Sequence, residues 1–350
     1  MEYNTLLALT LILVIHYRRR YQLRTQPRWR PSYEYCKGSF SLELLPPGRA
    51  RHWLRFTIPE IQRLAPLLQL DQVEYRNRQI VDPTTALCVV CARLSYPGRW
   101  VQLADLFGRS PTWLSITFND IITFLSTRFK DHLRWYRQIT QYSRLLEFSE
   151  AVEQLNDIQG IWGFVDGTFK GHCRPTGYKN QRIVYSGHKR AHGVNWQAIV
   201  TPDGLISSLI GPYSGANNDW SMWQRSGCEA EIRSVCTGHP TLYIYGDPAY
   251  RASFGVICPF EHPRGRHYLT PEKQAFNRSL AQVRISVENA FGGLHNKWTY
   301  TAFSGGLVAG LQPIAAQFAT AVLLINCYIC IRRPENRFLI SPITIEEYLY

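Results

Sequence analysis

IWGFVDGTF, residues 161–169, is the stretch on which the reading of this chain turns. The apolar run Ile161–Val165 has the character of a buried strand, and it ends on a carboxylate, Asp166, followed by Gly167. Asp-Gly is also a strong hairpin-turn pair, so Asp166 taken alone reads as well as a turn residue. A second run ends the same way. LYIYGDPAY, residues 242–250, delivers Asp247, where Asp-Pro is again a turn signal.

A third acid, Glu288, lies in TPEKQAFNRSLAQVRISVENAFGGLHNKW, residues 270–298. Thr270 and Pro271 read as the cap and first residue of a helix. Phe276, Leu280, Val283, Val287, Phe291 and Leu294 form its apolar stripe. Glu288 falls about 90° from the centre of that stripe, one turn after Arg284. As a surface partner of Arg284 it would contribute only about 0.2–0.5 kcal/mol. Gly292 and Gly293 are expected to end the helix, and a carboxylate in a last turn is mildly unfavourable.

Two strand-end carboxylates and one on a packed helix can converge. Two carboxylates about 4 Å apart repel by roughly 4 kcal/mol at an effective dielectric near 20, so three together need compensation. A divalent cation supplies it, and carboxylate oxygens suit Mg²⁺ or Mn²⁺. Two such ions about 3.5–4 Å apart are a standard device for phosphodiester chemistry.

The rest of the chain gives this a setting. Its 350 residues, 45% hydrophobic and 19% charged, describe a globular protein long enough for two domains. The formal net charge is +13. Residues 1–150 hold 21 Lys/Arg against 12 Asp/Glu, and residues 151–350 hold 18 against 14, so the front half carries +9 of the total. That imbalance points to a polyanion such as nucleic acid. Nine cysteines, an odd number in a large chain, fit a reducing compartment rather than a disulfide scaffold. Cys88/Cys91 and Cys327/Cys330 are Cys-x-x-Cys pairs within apolar runs, which reads as core rather than zinc. Leu6–Ile15 is apolar but too short to span a bilayer, and it lacks the preceding positive charge of a signal peptide; an N-terminal helix is expected there.

Residues 16–55, rich in Arg, Pro and Tyr, read as an irregular basic arm joined to that helix. From Ile58 the pattern is helical, with Leu64, Leu67, Leu68 and Leu70 available for one face. Trp100–Phe107, a glycine turn, and a helix opened by Ser110 and Pro111 and carrying Leu114, Phe118, Ile121, Ile122 and Leu125 make a helix-turn-helix pattern; any αα-hairpin would look the same. Beyond Glu150, strand-like runs at 161–165, 182–187, 195–201, 205–211 and 241–246 predict an α/β region with antiparallel pairing followed by a parallel crossover.

At this level of detail the chain resembles the PIF/Harbinger superfamily of transposases and harbinger-derived nucleases, with a DDE endonuclease domain. The resemblance rests on VDGTF with Asp166, YSGHKRAHGVNWQAIVTPDGLI, GPYSGANND with Asp219, YGDPAY with Asp247, and FNRSLAQVRISVENAFGGLHNKW with Arg284 and Glu288, in that order from about Tyr75 to Arg333. It implies a ribonuclease H-like catalytic domain, a mixed sheet flanked by helices, preceded by an all-α helix-turn-helix-like region. The boundaries expected are 1–55 for the N-terminal helix and arm, 56–150 for the DNA-binding helices, 151–335 for the endonuclease domain and 336–350 for a tail. It implies Asp166, Asp247 and Glu288 as catalytic and metal-binding residues holding two Mg²⁺ or Mn²⁺ ions. Asp219 and Arg284 are expected in support, and Lys189 and Arg190 on DNA phosphates; a solvated hairpin tip is the plain alternative for the last two. It also implies double-stranded DNA as partner, a homo-oligomer on DNA, a separate Myb-like accessory protein and a nuclear location. Departures from the family are His295, where a basic residue is common, and residues 1–55, which match nothing in it. The alternatives are a DNA-binding or interaction protein that kept the fold, and a nuclease without strand transfer.

Overall fold

The computed structural model describes residues 38, 40–156, 158–261, 268–302, 306–308 and 312–350, and of residues 156 and 282–289 the backbone alone. Lys37–Tyr350 is one compact unit. The helix expected at Leu6–Ile15 lies outside the described residues.

Part of the expected irregular arm is helical. Helix α1, Pro47–Leu54, starts on a proline and buries Ala50 and Leu54, four residues apart on one face. Helix α2, Ile58–Leu67, opens on a Thr57–Glu60 capping box. Helix α3, Pro83–Ser95, is capped by Asp82, whose carboxylate accepts the Thr85 amide at 2.8 Å, and it is buried from Ala86 to Ser95. This explains why Cys88 and Cys91 behave as core residues: an apolar helix with no polar face has to be enclosed.

The helical hairpin forms with the expected boundaries. Helix α4, Trp100–Phe107, ends on Gly108 at φ 61°, and helix α5, Pro111–Arg128, starts on Ser110, whose hydroxyl accepts the Trp113 amide at 3.2 Å. The outer face of α5 is not basic. Its exposed positions are Thr112, Thr123, Thr127 and Arg128, and Asp120 pairs with Arg76 at 2.6 Å. The buried side, Leu114 to Leu125, packs on α3 and on helix α12, Ile314–Arg332. Helix α12 is long and apolar enough to cross a membrane by length and composition, and 67% of its apolar window is buried inside the body. Cys327 and Cys330 are buried in it.

Helices α6, Lys130–Arg134, and α7, Tyr142–Asn156, lead into the sheet. Strands β1 (Ile161–Gly171), β3 (Ala191–Val200) and β4 (Ile206–Ser214) pair antiparallel, with the short β2 (Tyr185–Ser186) also on β3. β5 (Tyr243–Gly246) joins β1 in parallel, and β6 (Val256–Ile257) joins β5 in parallel. The expected switch from antiparallel to parallel pairing is therefore present, with sheet order β4-β3-β1-β5-β6. One expected strand changes type. Residues 182–184 belong to helix α8, Tyr178–Val184, and Tyr185–Ser186 form the two-residue β2. Ile183 and Val184 favour a strand only where a neighbouring strand receives them, and β3 receives only Tyr185 and Ser186.

Helices α9, Asp219–Ser226, and α10, Cys228–Val235, cover one sheet face, where Trp162, Val165, Ile199, Trp223, Ile232 and Tyr250 share a core with Phe148 of α7. On the other face Trp196 stacks on Phe318 of α12, with ring centroids 5.3 Å apart. Asn326 of α12 acts as a short substitute strand: its Oδ1 accepts the Ile206 amide at 3.0 Å and its Nδ2 donates to the Ile206 carbonyl at 2.9 Å. Helix α11, Pro271–Lys297, runs through Gly292 and Gly293 instead of stopping there. Leu294 and Trp298 beyond them are fully buried, and that packing outweighs the glycines' preference for a cap. The short α13, Ile345–Leu349, closes the chain.

Candidate active site

Asp166 belongs to the body of β1 and is not in a hairpin turn; it stands opposite Ala198 of β3. On the other side of β1, Val165 is paired with Gly246, the last residue of β5. Asp166 and Asp247 therefore follow a matched pair on adjacent parallel strands, whose spacing is about 4.8 Å. Each carboxylate is steadied by backbone amides nearby. Asp166 Oδ1 accepts the Gly167 amide at 2.8 Å, and Asp247 Oδ1 accepts the Ala249 amide at 2.9 Å.

Successive residues of a strand face opposite sides, which fixes what each acid meets. Lys170, on the same side of β1 as Asp166, sends its ammonium to the carbonyl of Tyr300 at 3.0 Å, just past the end of α11. The helix that bears Glu288 thus ends on the Asp166 face. The side chains of Glu288 and Arg284 lie outside the described residues. On the Gly167 face stands Asp219, the first residue of α9: a Cβ at position 167 would overlap its Oδ1 and come within 3.5 Å of Met222 Cε. Gly167 is thus required by the close approach of α9 as much as by any turn. Asn218 caps that helix, its Oδ1 accepting the Ser221 amide at 2.8 Å.

Tyr250 gathers the three aspartates. It is 2% exposed, and its backbone amide donates to the Asp247 carbonyl at 3.0 Å, closing the Asp-Pro turn. Its hydroxyl accepts from Gln197 Nε2 at 2.9 Å, which anchors the turn to β3 across β1. Burial pushes the phenol well above its usual range; the charges of Asp219, Asp166 and Asp247 add to this, and the Gln197 hydrogen bond opposes it. The Asp219 carboxyl is raised by burial and then by Asp247, with Lys189 and His188 acting the other way. Gln197 and Tyr250 were missed as candidates by sequence reasoning. Their signals were a glutamine inside the apolar run of β3 and an aromatic closing an Asp-Pro turn.

Lys170 is 3% exposed, and burial lowers its ammonium to about 8. Burial and the charge of Lys170 also lower His295, whose Nδ1 lies 2.7 Å from the Thr301 hydroxyl. Lys189 and Arg190 are exposed at the β2–β3 tip, where Arg190 adopts φ 49°.

As a donor set, Asp166 within β1 and Asp247 just past the end of β5 offer hard oxygens side by side in a field dense in carboxylates, which suits Mg²⁺ or Mn²⁺. Among the described residues no three His, Cys, Asp or Glu side chains come together at ligand spacing. A complete site needs a donor beyond those residues, and Glu288 stands on the helix at hand.

A putative transposase for insertion sequence element IS112, from Streptomyces albus G, is 28% identical over 128 residues, covering 36% of this chain and 44% of the relative. The chain thus spans less than half the length of that relative. No solved structure matches. Residues 165–326, which open one residue before Asp166 and include Asp247 and Glu288, match the family described as DDE superfamily endonuclease.

Proposed function

We propose that the chain is a divalent-metal-dependent DNA endonuclease of transposase type, with Asp166, Asp247 and Glu288 as its metal-binding and catalytic residues. The observation that carries this reading is the pairing of Val165 with Gly246, which sets Asp166 and Asp247 side by side while the Glu288 helix ends on the Asp166 face. The sheet order, with three antiparallel strands continued by two parallel ones, supports a ribonuclease H-like domain.

When bound, Mg²⁺ or Mn²⁺ would activate the attacking oxygen and neutralise charge on the leaving one. The chain's own part is to hold its carboxylates ionised and fixed. Rigid strands do this better than loops, and the Tyr250–Gln197 bond pins the turn that carries Asp247. Water would cut DNA at element ends, and the freed 3′-hydroxyl would then attack target DNA. Motif order from Asp166 to Glu288 supports a place beside the PIF/Harbinger transposases. That placement carries with it work on nuclear double-stranded DNA, a homo-oligomer on the DNA and a Myb-like accessory protein. For the α4–α5 hairpin we keep a role in duplex contact through Arg99, at the start of α4, and Arg109, in the turn between the helices, both exposed.

The test is nicking of a labelled duplex in Mg²⁺ or Mn²⁺ by Asp166→Asn, Asp247→Asn and Glu288→Gln. Each alone should abolish cleavage while duplex binding persists. Cleavage at the wild-type rate by Glu288→Gln would remove that residue from the mechanism.

A further inference from the structure

Residues 167–202 contain no Asp or Glu, but six Lys/Arg and three His. In a chain with 26 acids, so long an acid-free stretch directly after Asp166 sets up a one-signed surface. Two of the six cations are committed: Lys170 is buried, and Arg174 donates to Gln181 Oε1 at 2.6 Å. Lys179, Arg182, Lys189 and Arg190 are exposed, and among the described residues no ion pair joins any of them to an acid.

These cations sit on an arm between β1 and β3. Helix α8 on this arm buries none of its residues, and it shows Tyr178 at 80% and Ile183 at 50% exposure. The arm is nonetheless held in place. His172 N donates to His192 O at 2.9 Å across its base, Cys173 N donates to Leu307 O at 2.7 Å, and the Ser214 hydroxyl donates to the Ile183 carbonyl. It also reaches the acids, because the charge of Lys189 acts on Asp219.

A fixed, cationic arm with an exposed aromatic ring fits a nucleic acid strand, which offers phosphates to the charges and sugar or base faces to the ring. A second copy of this chain, at +13, is a poor electrostatic match. We infer that the 172–192 arm grips the DNA beside the scissile bond, with Lys179, Arg182 and Lys189 on phosphates and Tyr178 against a base or sugar. This rests on the reading of Asp166 and Asp247 as a nuclease centre, and it adds the surface that presents DNA to them.

The experiment measures duplex binding by the full chain as a function of salt, using fluorescence anisotropy with Ca²⁺ in place of Mg²⁺. Lys179→Gln/Arg182→Gln should lower the slope of log K against log salt by about 1.8, since each lost phosphate contact is worth about 0.9. A control of equal charge, Lys130→Gln/Arg333→Gln, should leave the slope near the wild-type value. Tyr178→Ala should weaken binding on the order of tenfold, with Tyr178→Phe restoring it, as expected of a stacked ring. Slopes unchanged in the arm variant, or lowered as much in the control, would overturn the assignment. Because the readout is binding, its failure is separate from a failure of the nuclease reading, which shows instead as a wild-type protein that binds DNA and never cuts it.

Discussion

Val165 of β1 and Gly246 of β5 are partners in a parallel ladder, so the residues that follow them, Asp166 within β1 and Asp247 just past the end of β5, stand beside each other. Carboxylates so placed repel when no cation is present, and binding to the folded state alone stabilises it. Mn²⁺ is therefore expected to raise the melting temperature of the wild type, on a scale of about 2.7 kcal/mol at a hundred times its dissociation constant. Asp166→Asn/Asp247→Asn should lose that response and melt no lower than the metal-free wild type. A melting series with and without Mn²⁺ reads both effects.

Tyr250 and Gln197 form the brace of the Asp247 turn. Tyr250→Phe keeps the buried ring and removes one hydroxyl hydrogen bond, a loss of about 0.5–1.5 kcal/mol. If the bond positions Asp247, the variant will also need more Mn²⁺ for half-maximal cleavage, and saturating Mn²⁺ will restore most of the rate. A change in melting temperature with an unaltered metal requirement would make Tyr250 merely structural.

Gly167 and Asp219 should be coupled. Gly167→Ala drives a methyl into Asp219 Oδ1, and overpacking of this kind costs about 1–3 kcal/mol. Asp219→Ala removes the obstacle, so the double variant should recover part of that loss. A double-mutant cycle by urea denaturation gives the coupling, expected to be at least about 0.5 kcal/mol.

Lys170 makes stability depend on pH. Its folded value of about 8 lies below the usual lysine range, so between that value and about 10.4 the unfolded chain binds more protons than the folded one. Stability from this residue accordingly rises as pH rises through that window, and the penalty is fully present below it. The swing is on the order of 3 kcal/mol. Urea denaturation at pH 7.5, 9 and 10 should show this rise in the wild type and lose it in Lys170→Met.

Asn326→Leu should destabilise by about 1–3 kcal/mol. It strands the amide and carbonyl of Ile206, both paired by the asparagine amide in the buried core. Thermal melting checks it.

Much of this protein could be read before any coordinates. The apolar run ending on Asp247 placed that acid just past the end of β5, and Ser110–Pro111 and Thr270–Pro271 opened α5 and α11 at those residues, because caps and strand ends are local chemistry; Asp166 instead falls within β1, which runs on to Gly171. Where neighbours decide, the pattern misled. Ile183 and Val184 became helical, and α11 continued past two glycines because Leu294 and Trp298 are buried. The site divides along the same line. Residue type and order picked out the acids, since a metal needs carboxylate oxygens wherever the chain supplies them. Only the tertiary structure decided that Asp166 and Asp219 take opposite faces of β1, that Tyr250 and Gln197 brace the second acid, and that an acid-free arm stands next to them. Those relationships depend on pairing register and on contacts between residues far apart in the chain, such as Gln197 and Tyr250, 53 positions apart, about which a linear pattern carries no information.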